Sequence, residues 1–406
     1  MAREFDIVVF GASGFTGQYV ALCVAKRARE LKTPLKWAIA GRSKVKLQDT
    51  AEWIQKQVEV EKIPIVIADV FDSPALEAMC KSTAILLNCT GPYAYFGEPV
   101  LKACIEVGTH HLDLAGEVQF ILEMLVKHDK AAKAKDCIVV SAVGYDSLPT
   151  ELSVLFAESQ FPSNGSISTA EVFMGMDVQH GHATTYECIV LMSNPAHFKA
   201  TNRLAKQLPA PAASSLLSKS WFGYDSRLGK AYFRFMGADM HLVGLSNPRV
   251  ETVVYYYMNN LLFVVAFAIF GLLLATFGQF EYGRQLMIRY PRLFTAGAFS
   301  HEGPSPSQLN AGSFTTHCFA KGFQDKTKAG EGTPHDWQVQ VRVDGPEPGY
   351  VATPILMVEA ALCIWRGEVK ARGVLSPGAA FRGTSLIKAL ETQGIAFTAV
   401  KSAQLP

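Results

Sequence analysis

FDIVVFGASGFTG, residues 5–17, decides the fold of this chain. Its apolar stretch predicts a buried parallel strand, and three glycines follow that strand directly. Gly11 lets the chain turn, Gly14 lets backbone approach a phosphate group, and Gly17 lets the next helix pack closely on the strand. Because the N–H groups at the start of that helix face the same point, the spacing predicts a pyrophosphate-binding loop.

The surrounding sequence favours a dinucleotide-binding unit over a simple structural turn. Residues 16–31 have the spacing of an amphipathic helix, and a second apolar strand is predicted at 35–40. A strand–helix–strand unit of this length is the context in which such a glycine pattern binds a dinucleotide. Thr16 adds a hydroxyl that can donate a hydrogen bond to phosphate.

The end of the second strand, AGRS at 40–43, lacks the acidic residue that an NAD site has here. It offers instead the Arg42 guanidinium and the Ser43 hydroxyl, with Lys44 and Lys46 just beyond. A guanidinium can bind phosphate oxygens with two parallel hydrogen bonds. The alternative, an exposed basic helix start, is unfavourable because cations repel the positive end of a helix. We therefore predict NADP(H) as the cofactor, with Arg42 as the main discriminator.

Strands and helices alternate from the first strand to one predicted at 137–140, which predicts a doubly wound parallel sheet of the Rossmann type. The pattern then changes, and further strands are predicted at 167–174, 313–323 and 337–345. The last of these alternates valines with polar residues, as an antiparallel strand with one exposed face does. The predicted domains are an NADP-binding domain, an α+β substrate or dimerisation domain, and a C-terminal segment that packs back on the first domain. Their predicted boundaries are 1–147, 148–348 and 349–406.

Composition excludes several classes of protein. The net charge is +2 with no long basic run, so a nucleic-acid partner is not expected. The eight cysteines never form a C-x-x-C pair, which is typical of free thiols in a reducing compartment rather than of disulfides or a zinc site. His180 and His182 have no cysteine or carboxylate neighbours at metal-ligand spacing, so no metal site is expected.

One segment is unusually apolar. The chain carries no charge from Thr252 to Phe280, and residues 261–278 would form a helix of about 27 Å, close to the hydrocarbon thickness of a bilayer. A single crossing conflicts with the predicted topology. If strands 167–174 and 313–345 share one sheet, one crossing would place them on opposite sides of the membrane.

We therefore expect segment 252–292 to be a helical element that lies in the surface of a lipid layer or re-enters it. Arg284, Arg289 and Arg292 follow the apolar helix, with tyrosines among them, as suits a headgroup layer. A buried core helix followed by solvated arginines is the alternative.

The predicted strand at 84–88 ends where the chain would pass under the cofactor. Asn88, Thr90 and Gly91 are therefore assigned to ribose or pyrophosphate contacts, although a simple Gly-Pro turn explains the local sequence nearly as well. Asp69 ends the third strand, where it can contact adenine.

Three residues are candidates for the proton donor of a reduction, Tyr93, Tyr95 and Asp146. Asp146 serves equally well as a cap for the following helix. No tyrosine has a lysine four residues later, so the Tyr-x-x-x-Lys pair of short-chain dehydrogenases is missing.

The chain resembles the saccharopine dehydrogenase-like oxidoreductases of animals along essentially its whole length and, more loosely, the mycobacterial trans-acting enoyl reductases. The motifs that carry the resemblance keep their order and are VVFGASGFTG, AGRS, NCTGPYAYFGEPVLKAC, LDLAGE, GYDSLP, GPEPGYVATP and GVLSPGAAF. The resemblance implies a Rossmann domain with a second α/β domain, and a pyridine-nucleotide oxidoreductase. The cofactor residues that it carries over are Gly11, Ser13, Gly14, Phe15, Thr16, Gly17, Arg42 and Ser43.

The resemblance also implies an association with lipid droplets, membranes or mitochondria. The resulting hypothesis is an NADPH-dependent oxidoreductase of lipid metabolism that reduces a C=C or C=O bond of a small hydrophobic substrate. It acts on the cytosolic side of a lipid droplet or membrane, as a monomer or a homodimer. Two alternatives stay open: an NADPH-binding lipid-droplet scaffold without activity, and an imine reductase of the saccharopine type.

Overall fold

The computed structural model describes residues 3–208, 216–218, 220–235, 237–329 and 333–405. The chain divides into two compact units, each of which combines two stretches of sequence. The first unit is Met1–Tyr145 with Gly349–Leu386, and the second is Asp146–Pro348 with Ile387–Pro406. The segment predicted as one C-terminal piece, 349–406, is thus shared between the units.

Strands and helices are numbered in chain order. The strands are β1 (Phe5–Phe10), β2 (Trp37–Gly41), β3 (Ile65–Ile67), β4 (Thr83–Asn88), β5 (His110–Asp113), β6 (Ile138–Val140), β7 (Ser166–Asp177), β8 (Gly181–His182), β9 (Phe222–Asp225), β10 (Lys230–Arg234), β11 (Glu251–Met258), β12 (Phe299–Ser300), β13 (Ser313–Phe323), β14 (Trp337–Pro346), β15 (Gly373–Leu375) and β16 (Ala396–Gln404). The helices are α1 (Phe15–Glu30), α2 (Lys44–Gln55), α3 (Ser73–Ser82), α4 (Tyr93–Val107), α5 (Val118–Ala134), α6 (Leu148–Ser159), α7 (Ala183–Met192), α8 (Pro195–Ala205), α9 (Ala238–Ser246), α10 (Leu261–Phe277), α11 (Glu281–Arg289), α12 (Pro291–Phe294), α13 (Pro306–Ala311), α14 (Thr353–Trp365), α15 (Pro377–Phe381) and α16 (Leu386–Thr392).

The first unit is built on a parallel sheet of seven strands in the order β15-β6-β5-β4-β1-β2-β3. The doubly wound parallel sheet predicted from the sequence is confirmed. The strand order reverses between β1 and β4, and in such sheets ligands bind at this switch point, beyond the carboxyl ends of the strands. The glycine loop follows β1 and therefore lies at this point.

Helix α14 belongs to the core of the first unit. Within the described residues, one helical stretch, Pro348–Trp365, is long and apolar enough to span a membrane, but 78% of that stretch is buried inside the protein. It packs against α1, where Glu359 pairs with Arg27. The apolar character of this stretch is explained by core packing.

The second unit contains a mixed sheet in the order β16-β14-β13-β7-β11-β10-β9, in which only the β7–β11 pair is parallel among the described strands. The three strands predicted at 167–174, 313–323 and 337–345 all belong to this sheet. Val339, Val341 and Val343 of β14 are buried and alternate with more exposed residues, as predicted. Because β7 pairs directly with β13, a single membrane crossing between them is excluded, which confirms the topological argument.

The apolar segment is divided between a strand and a helix. Residues 252–258 belong to β11, which is buried inside the second sheet, so the prediction that all of 252–292 contacts lipid is too wide. Burial in a sheet explains their apolar character as well as lipid contact would. The apolar helix predicted at 261–278 is present as α10.

Candidate dinucleotide site

The glycine loop has the geometry that its spacing predicts. Gly11 has φ +83°, a backbone conformation that favours glycine, and its N–H donates to the carbonyl of Ala40 at 2.9 Å. The N–H of Gly14 donates to the carbonyl of Gly11 at 3.0 Å. A Cβ at Gly17 would lie 2.8 Å from the Gly11 carbonyl carbon and 3.0 Å from the Cα of Ala12. Helix α1 can therefore approach β1 only because Gly17 has no side chain.

Helix α1 begins without a side-chain cap. Gly14 is its exposed N-cap residue, no side chain caps the helix there, and the first turn holds no acidic residue. The partial positive charge at this end is therefore not neutralised by a local carboxylate, which favours an anionic ligand. Ser13, Phe15 and Thr16 are half-buried around the same turn.

Arg42 lies exposed at the carboxyl end of β2. It makes no hydrogen bond or ion pair with another residue in the described part of the chain, so its guanidinium can turn to a ligand. Ser43 follows as the N-cap of α2, where its Oγ accepts a weak bond from the N–H of Lys46 at 3.4 Å. The Ser43 hydroxyl proton is left to donate to a phosphate.

The end of β4 lies directly against the glycine loop. The fully buried Asn88 uses Oδ1 to accept bonds from the backbone N–H of Thr90 at 3.1 Å and from its hydroxyl at 2.6 Å. The methyl carbon of Thr90 would lie 2.9 Å from a Cβ added at Gly11. Gly91 is half-buried in the same turn.

Asn88 also carries a polar atom that the described residues leave unsatisfied. Its Nδ2 is buried and has no hydrogen-bond partner among them. Buried donors in proteins are nearly always bonded, so this amide points to an acceptor from outside the chain. A contact of Asn88 with the ribose or pyrophosphate stays a prediction.

Asp69 is half-buried in the turn after β3. Its Oδ1 accepts a bond from the N–H of Phe71 at 3.0 Å, and its carbonyl accepts one from the N–H of Asp72 at 3.0 Å. The carboxylate thus holds the turn that ends the adenine side of the sheet. A direct contact of Asp69 with adenine stays a prediction.

The three candidate proton donors have different surroundings. Tyr93 is buried, and its hydroxyl donates to the Asn88 carbonyl at 2.8 Å and accepts from the N–H of Leu114 at 3.2 Å. Burial, with the nearby Cys89 and Asp113, raises the pKa of Tyr93 well above its usual range. Tyr95 is 57% exposed on the same helix, α4.

Asp146, the third candidate, is exposed and is the first residue of the second unit. It sits one residue before the N-cap of α6, Ser147. The Ser147 hydroxyl donates to Glu151 at 2.6 Å rather than capping the helix backbone. The structure thus places Asp146 at an accessible helix start, and its catalytic role stays a prediction.

Asp113 holds the loops after β5 and β6 together. Its carboxylate accepts bonds from the Ser141 hydroxyl at 2.8 Å and from the N–H groups of Ala115 and Ala142 at 3.0 and 3.3 Å. Burial raises the pKa of Asp113 to about 7, against the lowering effect of these hydrogen bonds. These partners all belong to the fold, which indicates a positioning role.

Glu117 links two neighbouring loops at the same edge. It is buried, and its carboxylate accepts bonds from the N–H of Tyr93 at 2.8 Å and of Gly116 at 3.1 Å. Glu117, the N-cap residue of α5, thereby satisfies the first N–H of α4. The motif LDLAGE contains this residue, but its spacing alone did not predict the link.

Two further residues reach the site from the distant C-terminal stretch of the first unit. The ring of Tyr350 packs edge-on against Phe15 of the glycine loop, with ring centres 4.8 Å apart. The Thr353 hydroxyl accepts a bond from the N–H of Tyr145 at 3.0 Å. The motif GPEPGYVATP was the only sequence signal for these contacts.

In the part of the chain that the structure describes, no group of three or more histidine, cysteine or acidic side chains is placed to hold a metal ion. The chemistry of the site is organised around phosphate recognition. The glycine cradle, the open helix start, the unsatisfied Asn88 amide and the unpaired Arg42 all fit a dinucleotide that carries a 2′-phosphate.

Comparison with known proteins agrees with this geometry. Residues 7–140 match the family described as the saccharopine dehydrogenase NADP binding domain. The "Saccharopine dehydrogenase-like oxidoreductase" of Rattus norvegicus is 35% identical over 99% of both chains. This chain belongs to the saccharopine dehydrogenase-like oxidoreductases. It is an NADP-binding oxidoreductase of that type, and the predicted cofactor is confirmed.

More distant relatives differ in what their names state. A protein of Caenorhabditis elegans named "Lipid droplet localized protein" is 28% identical over 97% of this chain and 98% of its own. The "Trans-acting enoyl reductase" of Mycobacterium leprae is 34% identical over 37% of this chain and 35% of its own. The saccharopine dehydrogenase (L-Glu forming) of Saccharomyces cerevisiae matches in structure with a TM-score of 0.55, covering 98% of this chain and all of that one. At 13% identity, the yeast enzyme shows a shared fold only.

Proposed function

We propose that this protein is an NADPH-dependent reductase of a lipid-like C=C or C=O bond, held at the surface of a lipid droplet or membrane. The observation that carries the proposal is the exposure of α10. This helix is apolar throughout, yet one side of it is left in contact with solvent. An exposed apolar surface of this length is a marker of a protein or lipid contact.

One side of α10 anchors it to the second unit. Phe270, Leu273, Leu274 and Phe277 pack on a cluster around Tyr186, Val190 and Met287 of α7 and α11. Towards the middle of the helix, Phe267 stacks on Phe233 of β10, with ring centres 4.4 Å apart. These contacts fix the helix on the domain surface and leave its opposite side uncovered.

The uncovered side consists of large aliphatic side chains. Leu262 is 83% exposed, Leu272 is 65% exposed and Ile269 is 55% exposed. Burying apolar surface in hydrocarbon stabilises by about 25 cal/mol per Å², so three such side chains together contribute about 5 kcal/mol. A helix that lies flat in a lipid layer with this side down is therefore well anchored.

The residues that follow α10 suit the headgroup layer in part. Tyr282 is 74% exposed, Tyr290 is 46% exposed, and Arg289 and Arg292 are exposed. Arg284, which was also predicted to face headgroups, is buried instead. Its guanidinium donates to the Gly278 carbonyl at 2.8 Å and to Glu281, so it stabilises the turn between α10 and α11.

The reduction needs a hydride, which bound NADPH supplies, and a proton. The proton of Tyr93 is committed to the Asn88 carbonyl, which favours Tyr95 and Asp146 as donors. The relative named as a lipid droplet protein supports attachment to a lipid surface. The relative named as an enoyl reductase supports a C=C bond as the group that is reduced. A mitochondrial location and a homodimer stay predictions.

The proposal is tested with the purified full-length protein, NADPH and a lipid extract. We expect NADPH oxidation with appearance of a saturated or hydroxylated lipid, and a loss of that activity in Tyr95→Phe or Asp146→Asn. The variant Ile269→Asp/Leu272→Asp should leave lipid droplets in cells and still bind NADPH. A control with the same charge change, Phe71→Asp/Val400→Asp, should keep its location. Unchanged location of the first variant would overturn the lipid-surface assignment.

A second candidate function is an NADPH-binding scaffold without turnover. It is favoured by the use of polar side chains near the switch point, since Tyr93, Asp113 and Glu117 all bond to the fold itself. Such a protein binds NADPH tightly, consumes none in any lipid extract, and is insensitive to Tyr95→Phe and Asp146→Asn.

A further inference from the structure

Helix α8 lies in an unusually basic part of the chain. From residue 188 to residue 224 there is no acidic residue, whereas four basic residues, Lys199, Arg203, Lys206 and Lys219, occur. Lys199 and Arg203 lie on α8, and Lys206 is its C-cap residue. The local charge is therefore strongly positive in a chain whose net charge is only +2.

The three cations form one stripe. Lys199, Arg203 and Lys206 are spaced by four and three residues, so they share one face of the helix. All three are exposed, while Leu204 on the opposite face is buried. None of the three makes an ion pair with a described residue. Phe198, 53% exposed, borders the stripe.

The stripe begins where α10 ends. Helix α7 packs on α10 through Tyr186 and Val190, and its C-cap residue Ser193 lies against Gly278, the C-cap residue of α10. Asn194 then caps α8 by accepting a bond from the N–H of Ala196 at 3.0 Å. The basic helix and the apolar helix are thus neighbours within the second unit.

We propose that the α8 stripe binds the anionic headgroups of phospholipids, so that the protein prefers negatively charged lipid surfaces. The inference rests on the lipid attachment proposed above, and it adds the headgroup charge as a determinant of location. The apolar side of α10 supplies attachment, while unpaired cations beside it are complementary to phosphate and carboxylate groups. Phe198 adds an aromatic ring at the level of the headgroups.

The expected preference for anionic lipid follows from the number of cations in the stripe. Each basic side chain close to an anionic membrane strengthens binding about fivefold, so three strengthen it about a hundredfold. The gain depends on salt, because the attraction fades beyond a Debye length of about 10 Å at moderate ionic strength. Attachment through α10 has no such dependence.

The experiment compares binding to vesicles of phosphatidylcholine with binding to vesicles that also contain phosphatidylserine, at low and high salt. The full-length protein is tested as wild type and as Lys199→Gln/Arg203→Gln/Lys206→Gln. A matched control, Lys130→Gln/Lys133→Gln/Lys135→Gln, removes three exposed charges from the last turns of α5 and its C-cap in the first unit. NADPH binding by every variant verifies the fold.

We expect wild type and control to bind phosphatidylserine vesicles up to about a hundredfold more tightly than neutral vesicles, with the preference lost at high salt. The α8 variant should bind both kinds of vesicle with the affinity that wild type has for neutral vesicles. Equal binding of wild type to both vesicles overturns this inference and leaves lipid attachment standing. Absence of binding to any vesicle overturns both. Tight binding to DNA without binding to vesicles would make the stripe a nucleic-acid surface instead.

Discussion

Gly17 is the residue through which the packing of the dinucleotide loop is best tested. In Gly17→Ala, the new Cβ would lie 2.8 Å from the carbonyl carbon of Gly11, and closer still to its oxygen. Carbon atoms in contact prefer about 3.5–4.0 Å, so helix α1 and the loop must separate by about 1 Å. Overpacking of this kind costs about 1–3 kcal/mol of stability, offset by about 1 kcal/mol because alanine favours the helix.

The effect on cofactor binding should be larger than the effect on stability. A shift of about 1 Å at the start of α1 removes the alignment of its N–H groups with the pyrophosphate. Losing one hydrogen bond to a charged group costs about 1.5–3 kcal/mol, which corresponds to NADPH binding weakened by about 10- to 150-fold. NADPH titration measures this loss, and urea denaturation measures the stability of the same samples.

Two other glycines provide controls. Gly271 lies in α10, where an added Cβ would have no atom within 4 Å. Gly271→Ala should therefore raise the free energy of unfolding by about 1 kcal/mol and leave NADPH binding unchanged. At Gly14 the nearest atom is 3.3 Å away, so Gly14→Ala should cost little stability yet still obstruct the pyrophosphate. If Gly17→Ala binds NADPH like wild type and gains stability like Gly271→Ala, the close packing of loop and helix does not exist.

Three other predictions follow from particular residues. Arg42→Ala should weaken NADPH binding by about 10- to 150-fold and leave NADH binding unchanged, since only the 2′-phosphate loses a partner; equal losses for both cofactors in a titration would refute the assignment. Burial raises the pKa of Asp113 to about 7, so its contribution to stability is full below about pH 4 and is lost as the pH rises through 7, about 4 kcal/mol in all. The free energy of unfolding of Asp113→Asn, measured by urea denaturation, should therefore rise relative to that of wild type as the pH rises from about 4 to about 7. A constant difference between the two free energies over this range would show that the carboxyl stays ionised. Arg27→Met leaves Glu359 buried without its guanidinium partner and should cost about 3–5 kcal/mol, which Arg27→Met/Glu359→Leu should largely restore; failure of that rescue would mean that packing of the Arg27 stem, not charge, stabilises the pair.

The sequence predicted most of the first unit correctly because its information is local. Alternating buried strands and amphipathic helices depend on residues a few positions apart. The phosphate loop and the unpaired Arg42 are equally local. The motifs that carry the family resemblance are also short local stretches, and they indicate the type of oxidoreductase.

Apolar character alone did not distinguish three environments. Residues 252–258 are a buried strand, α10 is an exposed helix, and Pro348–Trp365 is a core helix, although all are strongly apolar. Hydropathy shows that a segment is stable away from water, whereas its burial depends on which other segments of the chain cover it. Arg284 shows the same limit, since its buried bond to the Gly278 carbonyl follows from the turn between two helices.

The sequence by itself determined the Rossmann fold, the phosphate loop and the choice of NADP, because each depends on backbone freedom or charge at fixed local spacing. Only the tertiary structure decided that Tyr350 packs on Phe15, that the Tyr93 hydroxyl donates to the Asn88 carbonyl, and that the basic stripe of α8 starts beside α10. These contacts join residues whose separation along the chain carries no periodic signal. They arise when the chain closes around its core, where buried donors must find acceptors and uncovered apolar surface is left for a partner.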